Sequence, residues 1–170
     1  MEEIESPVER LSEELHEAAE QAKESWLKYG ALLSALLAVL AAISGMQAGH
    51  EVNEAMIQQI KASDAWGYYQ AKGIKMMIAE QQPQAANAAE RIKKFKEEQQ
   101  SIKEEAESKD AASEHHLQGH ETLSRAVTLF QVAIAMTAIA VLARQRKFLL
   151  VSAGLGGVGV WFFIQYWIMF

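Results

Sequence analysis

Three long apolar segments constrain this chain more than any other feature of its sequence. Segment 27–49 has one charge, Lys28 near its start, and segments 126–143 and 148–170 have none. Each is close to the roughly 20 residues that an α-helix needs to cross a hydrocarbon core of about 30 Å. Helices in a soluble bundle normally keep one polar face, and these three keep none. The pattern therefore predicts an all-α membrane protein with three transmembrane helices.

Basic residues beside these segments predict their orientation. The short loop 144–147 holds Arg144, Arg146 and Lys147, and short loops rich in Lys and Arg stay on the cytoplasmic side. We therefore expect a cytoplasmic N-terminus, an outer segment between the first and second spans, and a C-terminus outside. The start, MEEIESPVER, lacks the basic and apolar regions of a cleavable signal peptide. The predicted organisation is a cytoplasmic acidic amphipathic helix at 1–26, transmembrane helices at 27–49, 126–143 and 148–170, an outer helical hairpin at 50–125, and a basic cytoplasmic loop at 144–147.

The acidic N-terminal segment has its own helix signal. Ser6 suits an N-cap, Pro7 suits the first helical position, and Glu9 completes a capping box. Apolar residues then recur every three or four positions against an acidic face, and such a stripe needs a partner helix.

The outer segment reads as a long antiparallel, coiled-coil-like hairpin. Its only proline, Pro83, stands in the polar sequence EQQPQ and predicts the turn. Both arms have residues spaced alternately by three and four, the spacing of a helix-packing stripe. On the second arm these residues are Ala85, Ala88 or Ala89, Ile92, Phe95, Gln99, Ile102 and Ala106. On the first arm they are Met56, Ile60, Ser63, Gly67, Gln70, Ile74 and Met77.

Aromatic residues stand among lysines in the first arm, in DAWGYYQAKGIK at 64–75. Trp66 and Tyr69 are three apart and share one side of a helix, whereas Tyr68 is turned by about 100° from Tyr69. We expect one side to pack within the hairpin and the other to contact a neighbouring subunit. We also expect Lys72 and Lys75 to meet acids of the second arm such as Glu97 and Glu98. The predicted interface residues are Trp66, Tyr68, Tyr69, Ile92, Phe95 and Ile102.

Histidines are the sharpest candidates for chemistry. His116 and His120 are four apart, the spacing of two metal ligands on one helical face. Folding at Pro83 brings His50 opposite His115, so the four histidines predict either a zinc or copper site or a pH-sensitive cluster. The alternative is a set of solvated histidines near the membrane. The metalloprotease pattern, which needs a Glu between the two histidines, is absent.

The sequence GLGGVG at 154–159 matches a dinucleotide-binding pattern by letter only. It lies inside an apolar span with no preceding strand. Small residues in a span instead allow close helix approach. The predicted transmembrane packing residues are Gly154, Gly156, Gly157 and Gly159.

Charge and composition exclude several classes of function. The net charge is −6 and no basic face dominates, so no nucleic-acid partner is expected. Absence of cysteine removes disulfides, thiolate metal sites and cysteine nucleophiles. The spans contain Gln, Ser and Thr but no charge, which disfavours pumps and leaves a pore between subunits open. No catalytic residues are predicted.

The whole arrangement resembles a bacterial membrane-protein family catalogued as domain of unknown function 4337. Its most specific part is the pattern W-x-Y-Y-Q-A-K-x-I-K, formed here by Trp66, Tyr68, Tyr69, Gln70, Ala71, Lys72, Ile74 and Lys75. The resemblance implies a three-span inner-membrane protein with no assigned activity. With the orientation predicted from the basic loop, the hairpin is then expected in the periplasm.

The expected function is a non-enzymatic, homo-oligomeric scaffold or interaction protein of the inner membrane. Its expected partners are the lipid bilayer, further copies of itself and another membrane protein. Alternatives are an oligomeric channel for small solutes, a metal- or pH-responsive module at the histidines, and an accessory subunit of a larger complex. No cofactor is expected apart from a metal at the histidine cluster.

Overall fold

The described parts of the protein are entirely helical. A computed structural model describes Glu13 and residues 25–81 and 87–170. They form three α-helices and no strand: α1 is Ser25–Glu80, α2 is Ala88–Leu142 and α3 is Arg146–Met169. The prediction of an all-helical chain is confirmed for these residues. The predicted helix start at Ser6, Pro7 and Glu9, almost all of the acidic helix 1–26, and the predicted turn at Pro83 lie outside the described residues.

The length of α1 and α2 follows from their composition. α1 has 56 residues and α2 has 55, and neither contains proline, which would remove a backbone hydrogen bond and clash with the preceding turn. All three helices are long and apolar enough to cross a membrane. In α1 and α2 only one end has this apolar character, because both helices also contain the polar sequence between the first and second apolar segments.

Two compact units divide the helices. The first, here the apolar unit, comprises Met1–His50 and Gly119–Phe170, and the second, here the polar unit, is Glu51–Gln118. Core clusters in the apolar unit join all three helices: Leu37 of α1 and Phe130 of α2 share the largest cluster, against which Leu155 of α3 packs. Two further clusters centre on Trp26 and on Leu123.

The connection between α2 and α3 is very short and contains a left-handed residue. Arg144 has φ 52°. Its N–H donates to the Val141 carbonyl at 3.2 Å, and the Gln145 N–H donates to the Ala140 carbonyl at 3.1 Å. This pair of bonds closes the C-terminus of α2 in the manner usually made by glycine. For a residue with a side chain, such as arginine, the left-handed backbone conformation costs roughly 1–2 kcal/mol.

Candidate interaction surfaces

Small residues line the contact between α1 and α2 in the polar unit. Ala55 and Ala62 of α1 are buried, as are Ile102, Ala106 and Ser113 of α2. Small side chains on both helices let the two backbones approach closely. We call these five residues the alanine seam.

Hydrogen bonds join the same two helices along their length. The Ser113 hydroxyl donates to the Ala55 carbonyl at 2.9 Å. The Trp66 indole N–H donates to Asp110 Oδ2 at 2.8 Å. Gln99 Nε2 donates to the Tyr69 carbonyl at 3.3 Å. As the residue number rises on α1 it falls on α2, so the bonds fix the register of the pair.

Lys72 forms the main charged contact of the polar unit. Its ammonium donates to Glu98 Oε2, and 12% of its side chain is exposed. The same Nζ lies 5.3 Å from the centre of the Tyr68 ring and 5.6 Å from that of Phe95, within range of a cation–π attraction. The hydrogen bond to Glu98 raises the pKa of Lys72 above its ordinary value. The hydrogen bond from Lys72 lowers the pKa of Glu98. Of the predicted contacts, the one between Lys72 and Glu98 is present, whereas Glu97 pairs with Lys93 on its own helix.

The predicted interface aromatics divide as their spacing indicated. Trp66 and Tyr69 contact each other edge to face, with ring centres 5.6 Å apart, on the side of α1 that faces α2. Tyr68 is 54% exposed. On α2, Ile92 and Phe95 are half-buried and Ile102 is buried. Five of the six residues therefore lie at least partly inside the polar unit, and Tyr68 presents an exposed ring.

The stripe predicted for the first arm does not face α2, whereas the described residues of the second-arm stripe, apart from Ala89, are at least partly buried. Every residue of the first-arm stripe is exposed: Met56, Ile60, Ser63, Gly67, Gln70, Ile74 and Met77. The buried positions lie on the opposite side of α1, where Ala55 and Ala62 are seven residues apart. Burying the long side chains would hold α2 too far from α1 for the hydrogen bonds at Ala55 and Tyr69. We call the seven exposed residues the outer stripe.

Two of the histidines make defined hydrogen bonds within their own units. In the polar unit, His116 Nδ1 lies 2.8 Å from Glu51 Oε2, and Glu51 is buried. In the apolar unit, His120 Nδ1 lies 2.8 Å from the Ala48 carbonyl oxygen. A carbonyl oxygen only accepts, so His120 donates from Nδ1 to Ala48.

No metal centre is assembled in the described chain. These residues contain no group of three or more His, Cys, Asp or Glu side chains placed to hold a metal ion. His50 and His115 are exposed, and the ring of His115 lies against that of His116 with centres 6.0 Å apart. The metal and pH hypotheses for the histidines stay predictions.

Two of the four predicted packing glycines lie at close contacts in the apolar unit. A Cβ on Gly159 would stand 2.7 Å from Phe130 Cε1, and one on Gly156 would stand 2.8 Å from Leu37 Cδ2. Gly154 and Gly157 have no neighbouring atom within 4 Å of that position. Gly156 and Gly159 thus let α3 pack closely against α1 and α2. Gly154 and Gly157 are exposed on α3.

Polar side chains of the apolar segments are partly sealed inside this unit. The Ser152 hydroxyl donates to the Ala133 carbonyl at 2.7 Å and lies 2.6 Å from the Thr137 hydroxyl. Gln47 Nε2 donates to the Tyr166 hydroxyl at 2.9 Å. The hydroxyls of Ser34 and Ser44 are also buried. The hypothesis of a pore between subunits stays a prediction.

The three basic residues of the short connection are exposed. The Arg146 guanidinium lies 5.8 Å from the centre of the Trp26 ring, so it is held beside the beginning of α1. Arg144 occupies the left-handed position, and Lys147 lies in the first turn of α3. Their role in setting the orientation of the chain stays a prediction.

Together these features define a class: an all-helical protein with three helices able to cross a membrane and a polar helical unit. The sequence model of the family "Domain of unknown function (DUF4337)" matches residues 26–169. The chain belongs to this family, which confirms the resemblance noted from the sequence. No curated protein and no solved structure matches the chain.

Proposed function

We propose that the protein is a three-span, homo-oligomeric scaffold or interaction protein of the bacterial inner membrane. In this proposal the polar unit is an antiparallel helical hairpin in the periplasm, and the N-terminus is cytoplasmic. The hairpin presents a stiff surface to other proteins. The protein carries out no chemical reaction.

The observation that carries the proposal is the combination of a register-fixed helix pair with an exposed apolar face. Ser113, Trp66 and Gln99 bind across the pair at separate heights, which holds it in one arrangement. Met56, Ile60, Ile74 and Met77 of the same unit are each 58–60% exposed. They form two groups, at 56 and 60 and at 74 and 77, separated by Ser63, Gly67 and Gln70. Exposed apolar groups on one side of a soluble segment are typical of a protein–protein contact.

The membrane part of the proposal is supported by the three apolar helices and the charges beside them. Arg144, Arg146 and Lys147 lie at the connection between α2 and α3, where the distribution of Lys and Arg favours a cytoplasmic location. The polar unit then lies on the opposite side of the membrane.

Single-cysteine labelling tests the topology, because the natural chain has no cysteine. We expect a Glu107→Cys variant to react with a membrane-impermeant maleimide in intact bacterial spheroplasts. A Gln145→Cys variant should react only after the membrane is opened. The reverse pattern would invert the proposed orientation, and equal protection of both positions would contradict the exposed hairpin.

Mass measurement in nanodiscs tests the oligomer. We expect more than one copy per disc over a tenfold range of protein-to-disc ratio. A single copy at every ratio would defeat the homo-oligomeric part of the proposal.

A further inference from the structure

The outer stripe is a continuous helix-packing face with no partner in the chain as described. Its residues follow one another by four, three, four, three, four and three positions from 56 to 77. This is the heptad spacing at which one helix packs along another. Ala55 and Ala62 face α2 on the opposite side of α1. The outer stripe is therefore free to receive a second helix.

We propose that the outer stripe binds the same stripe of a second copy of this chain, in parallel and in register. The inference rests on the proposed oligomeric membrane function and names the surface through which the copies meet. Copies inserted in one membrane with one topology run their α1 helices in the same direction, which favours a parallel pair.

The surface is long and largely apolar. Ile57 and Ile78 lie on one line beside the stripe and are 42% and 51% exposed. Together with Met56, Ile60, Ile74 and Met77, each 58–60% exposed, they extend the exposed apolar side chains from residue 56 to residue 78.

Charge also favours a second copy. None of the seven stripe residues is charged. In the heptad, the two lines beside the stripe are 57, 64, 71 and 78 on one side and 59, 66, 73 and 80 on the other. Their only charges are Asp64 and Glu80. In a parallel pair, each residue of the second line lies opposite the residue five positions later in the first line of the other copy. Asp64 then meets Gln59 of the second copy, so no like charges oppose each other.

The middle of the stripe fits a helix better than lipid. Gly67 has no atom within 4 Å of a Cβ built on it, so a second backbone can approach there. Ser63 and Gln70 stand on either side of it and are exposed. These polar groups have hydrogen-bonding partners in a helix–helix contact and none among acyl chains.

Cysteine cross-linking in the full-length protein tests the contact. Ile60→Cys and Ile74→Cys, each as the single cysteine of the chain, should form a covalent dimer on mild oxidation in native membranes. Lys61→Cys is the matched control: it is exposed and adjacent to position 60, but turned by about 100° from it. We expect at least fivefold more dimer at either stripe position than at the control.

The outcomes separate this inference from the proposed function. A dimer formed only when Ile60→Cys and Ile74→Cys proteins are mixed would indicate an antiparallel pair and overturn the parallel register. Several copies per nanodisc without cross-linking at the stripe would overturn the inference and leave the oligomeric function standing. One copy per disc would overturn both.

A second variant keeps the test independent of cysteine chemistry. Ile60→Lys with Ile74→Lys places charges in the stripe of both copies, and both sites are exposed, so helix content should not change. We expect the dimer fraction to fall at least tenfold, while Lys61→Ala leaves it unchanged. An unaltered dimer fraction in the double variant would overturn the inference.

Discussion

Helices pack closely in both the apolar and the polar unit, but different residues are buried at their contacts. In the apolar unit the fully buried side chains include Phe130, Leu123 and Ile134. The ring of Phe130, the largest of them, packs against Gly159. In the polar unit the buried side chains are mainly alanine, and long side chains such as Trp66 and Lys72 reach across from the edge of the contact. Each unit thus needs small residues where the helices come closest.

The difference reflects the solvent that each unit is proposed to meet. Between helices in lipid there is little hydrophobic driving force, so close packing and buried hydrogen bonds such as Ser152 to Ala133 determine association. In water, burial of apolar surface stabilises a helix pair directly. The polar unit nevertheless leaves the side chains of Met56, Ile60, Ile74 and Met77 exposed. The proposed oligomer buries this exposed apolar surface.

The largest effect that we predict tests the packing of the apolar unit. Phe130→Ala removes a ring that is fully buried between α2 and Gly159 of α3. We expect the free energy of unfolding in detergent to fall by about 3 kcal/mol, because the ring leaves a cavity that the helices cannot fully close. Trp161→Ala, at an exposed aromatic residue of α3, is the control and should change stability by less than a third of this. Equal losses would mean that the core is not centred on Phe130.

A paired glycine substitution sharpens the same comparison. Gly159→Ala places a Cβ 2.7 Å from the Phe130 ring and 3.4 Å from the Ala126 carbonyl. We expect a loss of about 1–3 kcal/mol, since overpacking forces the helices apart. Gly157→Ala meets open space and should stabilise by up to about 1 kcal/mol, because alanine restricts the unfolded chain. Urea unfolding in detergent measures both, and the same sign for both would refute the assignment of a close contact to Gly159.

The sequence predicts the helical class and the second-arm stripe, but not which face of the first arm packs. Ile92, Phe95 and Ile102 are apolar among charges, so only one face of α2 could pack there. On the first arm two opposite faces qualify. The spacing does not show whether the face with the longer residues of the outer stripe or the face with Ala55 and Ala62 packs against α2. The choice depends on how near α2 must come for Ser113 and Gln99 to bind backbone carbonyls, a distance between residues far apart in the chain.

The glycines show the same limit. All four were equally small in the sequence, and the structure distinguishes them by what stands opposite. Gly156 and Gly159 face Leu37 and Phe130, whereas Gly154 and Gly157 face open space. A periodic pattern identifies a set of positions at which close approach is possible. It does not identify the partner side chain.

A smaller effect is expected in the polar unit from loss of a single hydrogen bond. Trp66→Phe keeps a ring beside Tyr69 and removes the donor to Asp110 Oδ2. We expect the free energy of local opening around residue 66 to fall by about 1–2 kcal/mol, between the contributions of a typical hydrogen bond and of one to a charged group. Amide hydrogen exchange of the full-length protein measures it.

Asp110→Ala is the partner variant for Trp66→Phe. Because both changes remove the same bond, the double variant should lose less than the sum of the two single losses. Asp64→Ala, at an exposed acid of the same unit, should change the opening free energy little. Strict additivity of Trp66→Phe and Asp110→Ala would contradict a bond between them.

The smallest effect that we predict is the pH dependence of the Lys72–Glu98 contact. The pKa of Glu98 is lowered from 4.5, so its contribution to stability is present above pH 4.5 and is lost as the pH falls through the lower folded value. The pKa of Lys72 is raised from 10.5, so its contribution is present below pH 10.5 and is lost as the pH rises through the higher folded value. Hydrogen exchange near residue 72, compared between the natural protein and Glu98→Gln, isolates the acid side. The difference between the two proteins should be largest at neutral pH and should shrink as the pH falls below 4.5. A difference that stays constant across this range would show that the carboxylate charge does not stabilise the pair. The contact would then hold the helices in register by geometry alone, as the uncharged Gln99 contact does.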